Sequence, residues 1–300
     1  MVRALNRTPA PAVSATGSLP ITGIAYSGEP GAFAEDAVVA AFGDVERVAL
    51  PGFRQVFDEV ASATVAAGVV PIENSVHGTV RENYDLLLEH DLEIRAEVVV
   101  PVWLCLAALP GQRLDEIERV YSHIQALGQA EAFLRRRPWA LMTTYNTAGA
   151  GKLIADGGER RSAAVLSPRA AQLFGLEVLA DGIQDVADNR TRFLVVARPG
   201  GEVPALVGRN AGDPMRTTLV LAVRNEPGAL LRVLRVFADH GLNMSTLESR
   251  PSRERAWEYV FWVDLDADLA MPATRAALAD LGAVTTMLKV LGSYPHAAES

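Results

Sequence analysis

The stretch Asp188–Val196, DNRTRFLVV, sets an apolar run directly behind a polar one. Phe193 to Val196 reads as a buried β-strand, because a short continuous apolar run suits a strand covered on both faces. Asn189, Arg190, Thr191 and Arg192 stand immediately before it. Two readings of that cluster are open. Strand ends are polar wherever loops meet water. Alternatively, Thr191 faces a cleft between two guanidiniums and handles an anion. The run closes a series. From Ile21 to about Arg198, short apolar strands alternate with helical patterns. ITGIAY, VAAGVVPI, the long EVVVPVWLCLAAL, ALMTTY, SAAVLS, EVLA and RFLVVA read as strands. AFAEDAVVAAF, VRENYDLLLEH, LGQAEAFLRRR, TAGAGKLIAD and PRAAQLF read as helices. Such alternation predicts an α/β sheet with helices on its faces. Ligands of open α/β sheets bind at the carboxyl ends of the strands.

The Gly- and Pro-rich segment RPGGEVPALVGRNAGDP, Arg198–Pro214, marks a domain boundary. The unit behind it reads strand (MRTTLVLAVRN), helix (PGALLRVLRVFADHG), strand (LNMSTLESR), strand (AWEYVFWVDLD), helix (MPATRAALADLG) and strand (VTTMLKVLGSY). That order is ferredoxin-like βαββαβ. The organisation expected is a disordered tail over 1–20, an α/β region over 21–199, a linker over 200–214 and a small domain over 215–295.

Composition narrows the function. The chain has 300 residues, a formal net charge of −8, 49% hydrophobic and 21% charged residues, as in a soluble globular protein. An acidic balance argues against nucleic acid as a partner, since phosphate binding needs a basic face. Cys105 is the single cysteine, so no intrachain disulfide forms. The two lysines, Lys152 and Lys289, lie in no Schiff-base motif. The longest apolar stretch, Val98–Leu109, is broken by Pro101 and too short for a bilayer. The N-terminal stretch lacks a sustained apolar core, so no secretory signal, no membrane and a cytoplasmic location are expected.

Four strand-to-helix junctions carry polar groups. YSGEPGAFAEDA, Tyr26–Ala37, is a glycine-rich turn into a helix start, which suits an anion. Its glycine spacing is not the dinucleotide fingerprint. VVPIENSVHGTV, Val69–Val80, empties Glu73, Asn74 and Ser75 into a strand exit; helix capping is the alternative use of Ser75 or Thr79. His77 reads as a solvated loop histidine. VYSHIQALGQ places Ser122, His123 and Gln125 at a second exit, and TYNTAGAGK places Asn146 and Thr147 at a third. Zinc spacing, a P-loop, a nucleophile elbow and a carboxylate cluster are all missing, so no metal and no organic cofactor are expected. Asn, Ser, Gln, Thr and Arg orient an anion and donate hydrogen bonds. In the second domain, NEPGALLRVL puts a Gly-Ala turn at a helix start, where backbone approaches a ligand closely. GLNMSTLESRP is a strand carrying Asn243, Ser245, Glu248, Ser249 and Arg250; a structural dimerisation module is the alternative.

GEPGAFAEDA, VVPIENSVHGTV, YSHIQALGQ, TAGAGK and NRTRFLVV, followed by PGALLRVL and ESRP, together resemble bacterial prephenate dehydratase with a C-terminal ACT domain. The likeness runs in order from about Ile21 to Tyr294. It implies a two-lobed, periplasmic-binding-protein-like catalytic domain with substrate in the cleft between the lobes. It implies conversion of prephenate to phenylpyruvate, carbon dioxide and water on the route to phenylalanine. It also implies an ACT domain that binds L-phenylalanine at a subunit interface and regulates activity by feedback, in a homodimer or homotetramer. By motif, Thr191 is the catalytic hydroxyl, with Asn74, Ser75 and Gln125 as its polar neighbours and Thr147 and Arg192 as further substrate-binding members. Gly228, Ala229 and Leu230, with Asn243, Glu248, Ser249 and Arg250, form the phenylalanine site. The chain departs from the pattern at Ile124, where the family often has proline, and at His77, where an acidic residue is common. Arogenate dehydratase keeps the fold and exchanges a keto for an amino group. A non-catalytic amino-acid or solute sensor is the reading from another class.

Overall fold

Two crossings of the chain organise the α/β region, and β-strands at both crossings position the site. The computed structural model describes residues 23–210, 212–251 and 259–296; the tail expected over 1–20 lies outside the described residues. The first lobe contains β1 (Ile24–Ser27), α1 (Phe33–Phe42), β2 (Arg47–Leu50), α2 (Phe53–Ala61), β3 (Ala67–Asn74), β4 (Gly78–Thr79), α3 (Arg81–Glu89) and β5 (Glu93–Pro101). The chain then crosses to a second lobe: β6 (Cys105–Ala108), β7 (Arg119–Ser122), α4 (Ile124–Gln129), α5 (Glu131–Leu134), β8 (Ala140–Thr143), α6 (Thr147–Gly157), β9 (Ser162–Leu166), α7 (Pro168–Leu173) and β10 (Glu177–Ala180). It returns to the first lobe as β11 (Arg190–Ala197). The last unit is β12 (Met215–Ala222), α8 (Ala229–Asp239), β13 (Met244–Pro251), β14 (Tyr259–Leu265), α9 (Pro272–Val284) and β15 (Met287–Pro295), the βαββαβ order. The start of AWEYVFWVDLD lies outside the described residues.

The sheets run β2-β1-β3-β11-β5 in the first lobe, β10-β6-β9-β7-β8 in the second and β13-β14-β12-β15 in the small domain. The alternation predicted from sequence passes over β2 and α2. Strand β2 lies at a sheet edge and is half exposed, so it lacks the apolar run of a central strand. The single long strand expected across Glu97–Leu109 is two strands. Beyond Pro101 the backbone leaves one sheet for the other: Val102 N–H donates to the Asn189 carbonyl (2.7 Å) and Leu104 N–H to Gln184 Oε1 (3.1 Å). Trp103 Nε1 donates to Asp181 Oδ1 (2.7 Å), tying the outgoing crossing to the returning one.

β11 runs antiparallel between β3 and β5, and this placement explains its composition. Phe193, Val195 and Ala197 pack with α1 and β1 on one face. Leu194 and Val196 pack on the other with α2, α3 and, from the small domain, Val220, Trp262, Leu291 and Tyr294. One apolar core therefore spans both domains. Gly292 of β15 lies so close to β5 that a Cβ there would stand 2.3 Å from the Ile94 carbonyl oxygen. The segment over 200–214 is docked along the first lobe. Val203 and Leu206 pack on the α1 core, and Arg209 donates to the carbonyls of Glu97 (2.6 Å) and His296 (2.7 Å). No helix among the described residues is long and apolar enough to cross a membrane.

The domain contact predicts opposite outcomes for two glycine replacements. Gly292→Ala forces β15 off β5 and should cost about 1–3 kcal/mol. Gly282→Ala meets open space in α9 and should stabilise by up to about 1 kcal/mol. Urea midpoints of both variants check this.

Candidate active site

Helices α1, α2 and α3 of the first lobe and α6 of the second begin at the carboxyl ends of strands. Their first residues, Phe33, Phe53, Arg81 and Thr147, line a cleft of about 700 Å³ between the lobes. Among the described residues no side chain caps α1, α2 or α3. Their first-turn N–H groups and the positive ends of their dipoles therefore favour an anion. Phe33, Phe53, Val102 and Phe193 add apolar wall. The turn before α1 needs glycine at 31. Its φ is +86°, and a Cβ would meet Ala170 Cα of the second lobe at 2.8 Å.

Thr191 stands where β11 leaves the second crossing, opposite Asn74 at the end of β3. Asn74 Oδ1 accepts from the N–H groups of Val76 (3.0 Å) and His77 (2.9 Å), which fixes which end of the amide is nitrogen. Its Nδ2 donates to Thr191 Oγ1 (3.0 Å), Asn189 Oδ1 (2.8 Å) and the Arg190 carbonyl (3.1 Å). The Thr191 oxygen is thereby an acceptor from Asn74, and its own proton is left to donate. Thr191 and Phe193 share one face of β11 and both line the cleft.

Gln125 and Thr147 face Thr191's wall from the second lobe. His123 lines the cleft too and caps α4, its Nδ1 accepting from Gln125 N–H (3.3 Å). Burial pushes its pKa below the ordinary histidine value. His77 is an exposed turn residue, as expected, and it also lines the cleft and reaches Gln129 Nε2 of the second lobe through Nδ1 (3.2 Å). Glu29 bridges the lobes as well, accepting from Tyr145 OH (3.1 Å) and Lys152 Nζ (3.0 Å). Glu82 is the one carboxylate among the described lining residues.

Two expected cleft residues lie elsewhere. Arg192 follows Thr191 in the strand, so its side chain leaves the opposite face. It is buried against the small domain, paired with Asp264 (2.8 Å) and Glu97 (3.3 Å). Burial opposes its charge, but those carboxylates outweigh it and hold the pKa above the ordinary arginine value. Ser75 does not line the cleft; its hydroxyl accepts from Arg190 N–H (2.9 Å) and pins the start of β11. Arg81 was missed. It is the one arginine among the described lining residues, and its place at the first position of α3, behind Gly78 and Thr79, was the available signal.

The prephenate dehydratase model matches residues 24–200, and the ACT domain model matches residues 217–283. The chain belongs to the prephenate dehydratase family. It is 40% identical over 290 residues to "Arogenate dehydratase 5, chloroplastic" of Arabidopsis thaliana, covering 91% of this chain and 67% of that one. The chain thus spans about two thirds of that plant protein. A prephenate dehydratase from Arthrobacter aurescens, solved in complex with L-Phe, is 31% identical with a TM-score of 0.83, covering 93% of this chain and 91% of that one. A protein described as GqqA, a novel type of quorum quenching acylase, is 30% identical with a TM-score of 0.82, covering 92% and 98%. The family is one of hydro-lyases acting on prephenate or arogenate in phenylalanine biosynthesis, with a two-lobed catalytic domain and an ACT domain.

In this prephenate dehydratase family member the ACT residues fall into separate places. Gly228 caps α8 with φ 79°, and Ala229 and Leu230 follow. The register Arg250↔Val260↔Ala222 brings Glu248–Pro251 to the same end of the sheet as the Gly228 turn, two strands away or about 10 Å. Ser249 points to the helix side of the sheet. Glu248 and Arg250 point to the catalytic domain, where Arg250 bonds Asp85 (3.3 Å) and the Arg81 carbonyl (3.3 Å). Asn243 is at the far end of β13, donating to Asp266 (2.6 Å), about 20 Å from Ser249 along the strand.

His123 should titrate below pH 6.5 in the folded protein and at about 6.5 in urea. Because the folded value is depressed, the unfolded chain binds the proton first. Stability should therefore fall as pH drops through 6.5 into the folded-state range. Imidazole NMR with His123→Gln for assignment, and urea midpoints of both proteins across that window, check position and sign.

Proposed function

We propose that the chain converts prephenate to phenylpyruvate, carbon dioxide and water. The Asn74–Thr191 hydrogen bond, which frees the threonine proton at the cleft wall, carries the reading. Prephenate brings two carboxylates. The uncapped helix starts and Arg81 suit them, and Phe33, Phe53 and Phe193 suit the ring. As the ring carboxylate leaves as carbon dioxide, its C–C bonding pair enters the ring. The ring hydroxyl departs with its own C–O pair and takes a proton to become water. Aromatisation supplies the driving force, so the protein's tasks are to orient the dianion and donate a hydrogen bond to the departing oxygen. Thr191 makes that donation; Asn74 orients it; Gln125 and Thr147 close on the substrate from the second lobe. Arogenate would place an ammonium among helix starts and Arg81 with Glu82 as the one lining carboxylate, so prephenate is the preferred substrate.

The likeness to a quorum quenching acylase raises amide hydrolysis as a second reading. That chemistry needs a nucleophile within hydrogen-bond reach of a base. Thr191 Oγ1 is bonded to Asn74, while His77 and His123 bond Gln129 and the Gln125 amide, which favours elimination.

L-Phenylalanine is the ligand we assign to the ACT domain, and lowered turnover is its effect. β13 is a sheet edge. Two such edges joined antiparallel about a two-fold axis bring Asn243 of one copy beside Glu248–Pro251 and the Gly228 turn of the other. That arrangement reunites residues held apart in one chain and makes the protein a homodimer or a tetramer of such pairs.

Thr191→Val keeps shape and removes the hydroxyl. The kcat with prephenate should fall about 10²- to 10⁴-fold with little change in KM. Wild-type protein should give a higher kcat/KM with prephenate than with arogenate, and should leave an N-acyl amide intact. Near wild-type kcat in the variant returns the motif to a solvated strand end.

Phenylalanine should lower turnover of the wild-type protein and raise its Tm, with light scattering showing a dimer or tetramer. Asn243→Ala should lose the response and keep basal turnover. A dimer whose Asn243→Ala variant stays fully sensitive places the effector elsewhere.

A further inference from the structure

Arg192 joins the strand that carries Thr191 to the ACT sheet. Its guanidinium reaches Asp264 Oδ2 on β14 (2.8 Å), Glu97 Oε2 on β5 (3.3 Å) and Glu73 Oε2 on β3 (3.5 Å). Glu97 is shared with Arg216 of β12 (2.7 Å). Asp264 is held in turn: Oδ1 accepts from Thr218 Oγ1 (2.7 Å), which itself meets Tyr294 OH (2.7 Å). All of these side chains except Glu73 are nearly or wholly buried. Beside them lies a cavity of about 10 Å³, lined by Arg192, Trp262, Asp264, Thr218 and Tyr294. Among the described residues Arg192 Nε and Trp262 Nε1 are buried donors without a hydrogen-bond partner.

A buried ion network is a poor source of net stability, since well-packed apolar residues of the same volume do as well or better. What it supplies is direction. Each carboxylate oxygen fixes where the guanidinium lies, and the guanidinium is one residue from Thr191. We propose that Asp264, in the ACT sheet, is a positioning residue for the reaction: through Arg192 it sets the rotation of β11 and hence the aim of the Thr191 hydroxyl. The proposal rests on the catalytic reading of Thr191. Asp264 touches nothing in the cleft. The ACT domain thereby contributes to the site's geometry even with no effector bound.

The test is a double-mutant cycle on the full chain, with kcat and KM measured for wild type, Asp264→Asn, Thr191→Val and the double variant. Asp264→Asn should lower kcat about 10- to 100-fold, the scale of a small misplacement at the reacting centre, with KM changed less than about twofold. In the Thr191→Val background the same change should cost less than about twofold, because the group it aims is gone. An undiminished effect in that background, or none in the wild type, overturns the positioning role alone. A Thr191→Val protein with wild-type kcat overturns the reading of Thr191 and this proposal with it. Should Asp264→Asn not fold, Thr218→Val removes the hydroxyl that holds Asp264 Oδ1 and enters the same cycle. Its loss of kcat in the wild-type background and silence behind Thr191→Val are the supporting result, and additive losses the overturning one.

Discussion

The insertion of β11 between β3 and β5 is the constraint on which the rest depends. A strand in that position has two buried faces, and successive residues must serve them in turn. Thr191 and Phe193 go to the cleft side, Arg192 and Leu194 to the ACT side. The chain arrives at β11 directly from the second lobe, so the first residues of the strand lie at the junction of both lobes and both domains. The polar cluster ahead of the apolar run follows from that location. Asn189 bonds the outgoing crossing, Arg190 bonds Ser75, Thr191 bonds Asn74, and Arg192 bonds Asp264.

The cleft is built more from backbone than from charge. Its anion-binding capacity comes from helix starts without side-chain caps, supplemented by Arg81. Fixed amide dipoles need no reorganisation as charge moves during a reaction, which suits the decarboxylating dehydration we propose. Polar contacts join the lobes. Glu29 with Tyr145 and Lys152, and His77 with Gln129, cross between the lobes beside the cleft, while Ser167 with the Gly31 carbonyl and Arg169 with Glu35 and Asp36 join them in more buried surroundings.

The two domains are joined differently from two modules on a string. Leu194, Ile72 and Tyr84 share a core with Val220, Trp262 and Tyr294, and the segment over 200–214 lies against the first lobe through Leu206 and Arg209. Arg250, in the segment expected to meet phenylalanine, bonds the carbonyl of Arg81, the residue that opens a cleft-lining helix. The ACT sheet edge and the cleft are therefore connected through a shared core and direct hydrogen bonds as well as through the chain.

Much was determined by sequence alone: the alternation of strands and helices, the βαββαβ order of the small domain, the family, and the polar exits at Asn74, Gln125, Thr147 and Thr191. These are local signals, apolar periodicity and turn chemistry, that each segment carries by itself. Tertiary structure decided which way side chains face and which partners they meet. Arg192 and Ser75 look like cleft residues in DNRTRF and PIENS, yet one is turned away by strand alternation and the other is spent on the Arg190 amide. Within the apolar run Glu97–Leu109 only Pro101 interrupts the pattern, and the change of sheet beyond it is fixed by Arg190 pairing with Pro101, Asn189 bonding Val102 and Gln184 bonding Leu104, all returning from far along the chain. Arg81 and His77 acquire a role only when α3 and its preceding turn are set against the second lobe. In each case the deciding partner is distant in sequence, and register with a distant strand is a property of the folded sheet rather than of the segment itself.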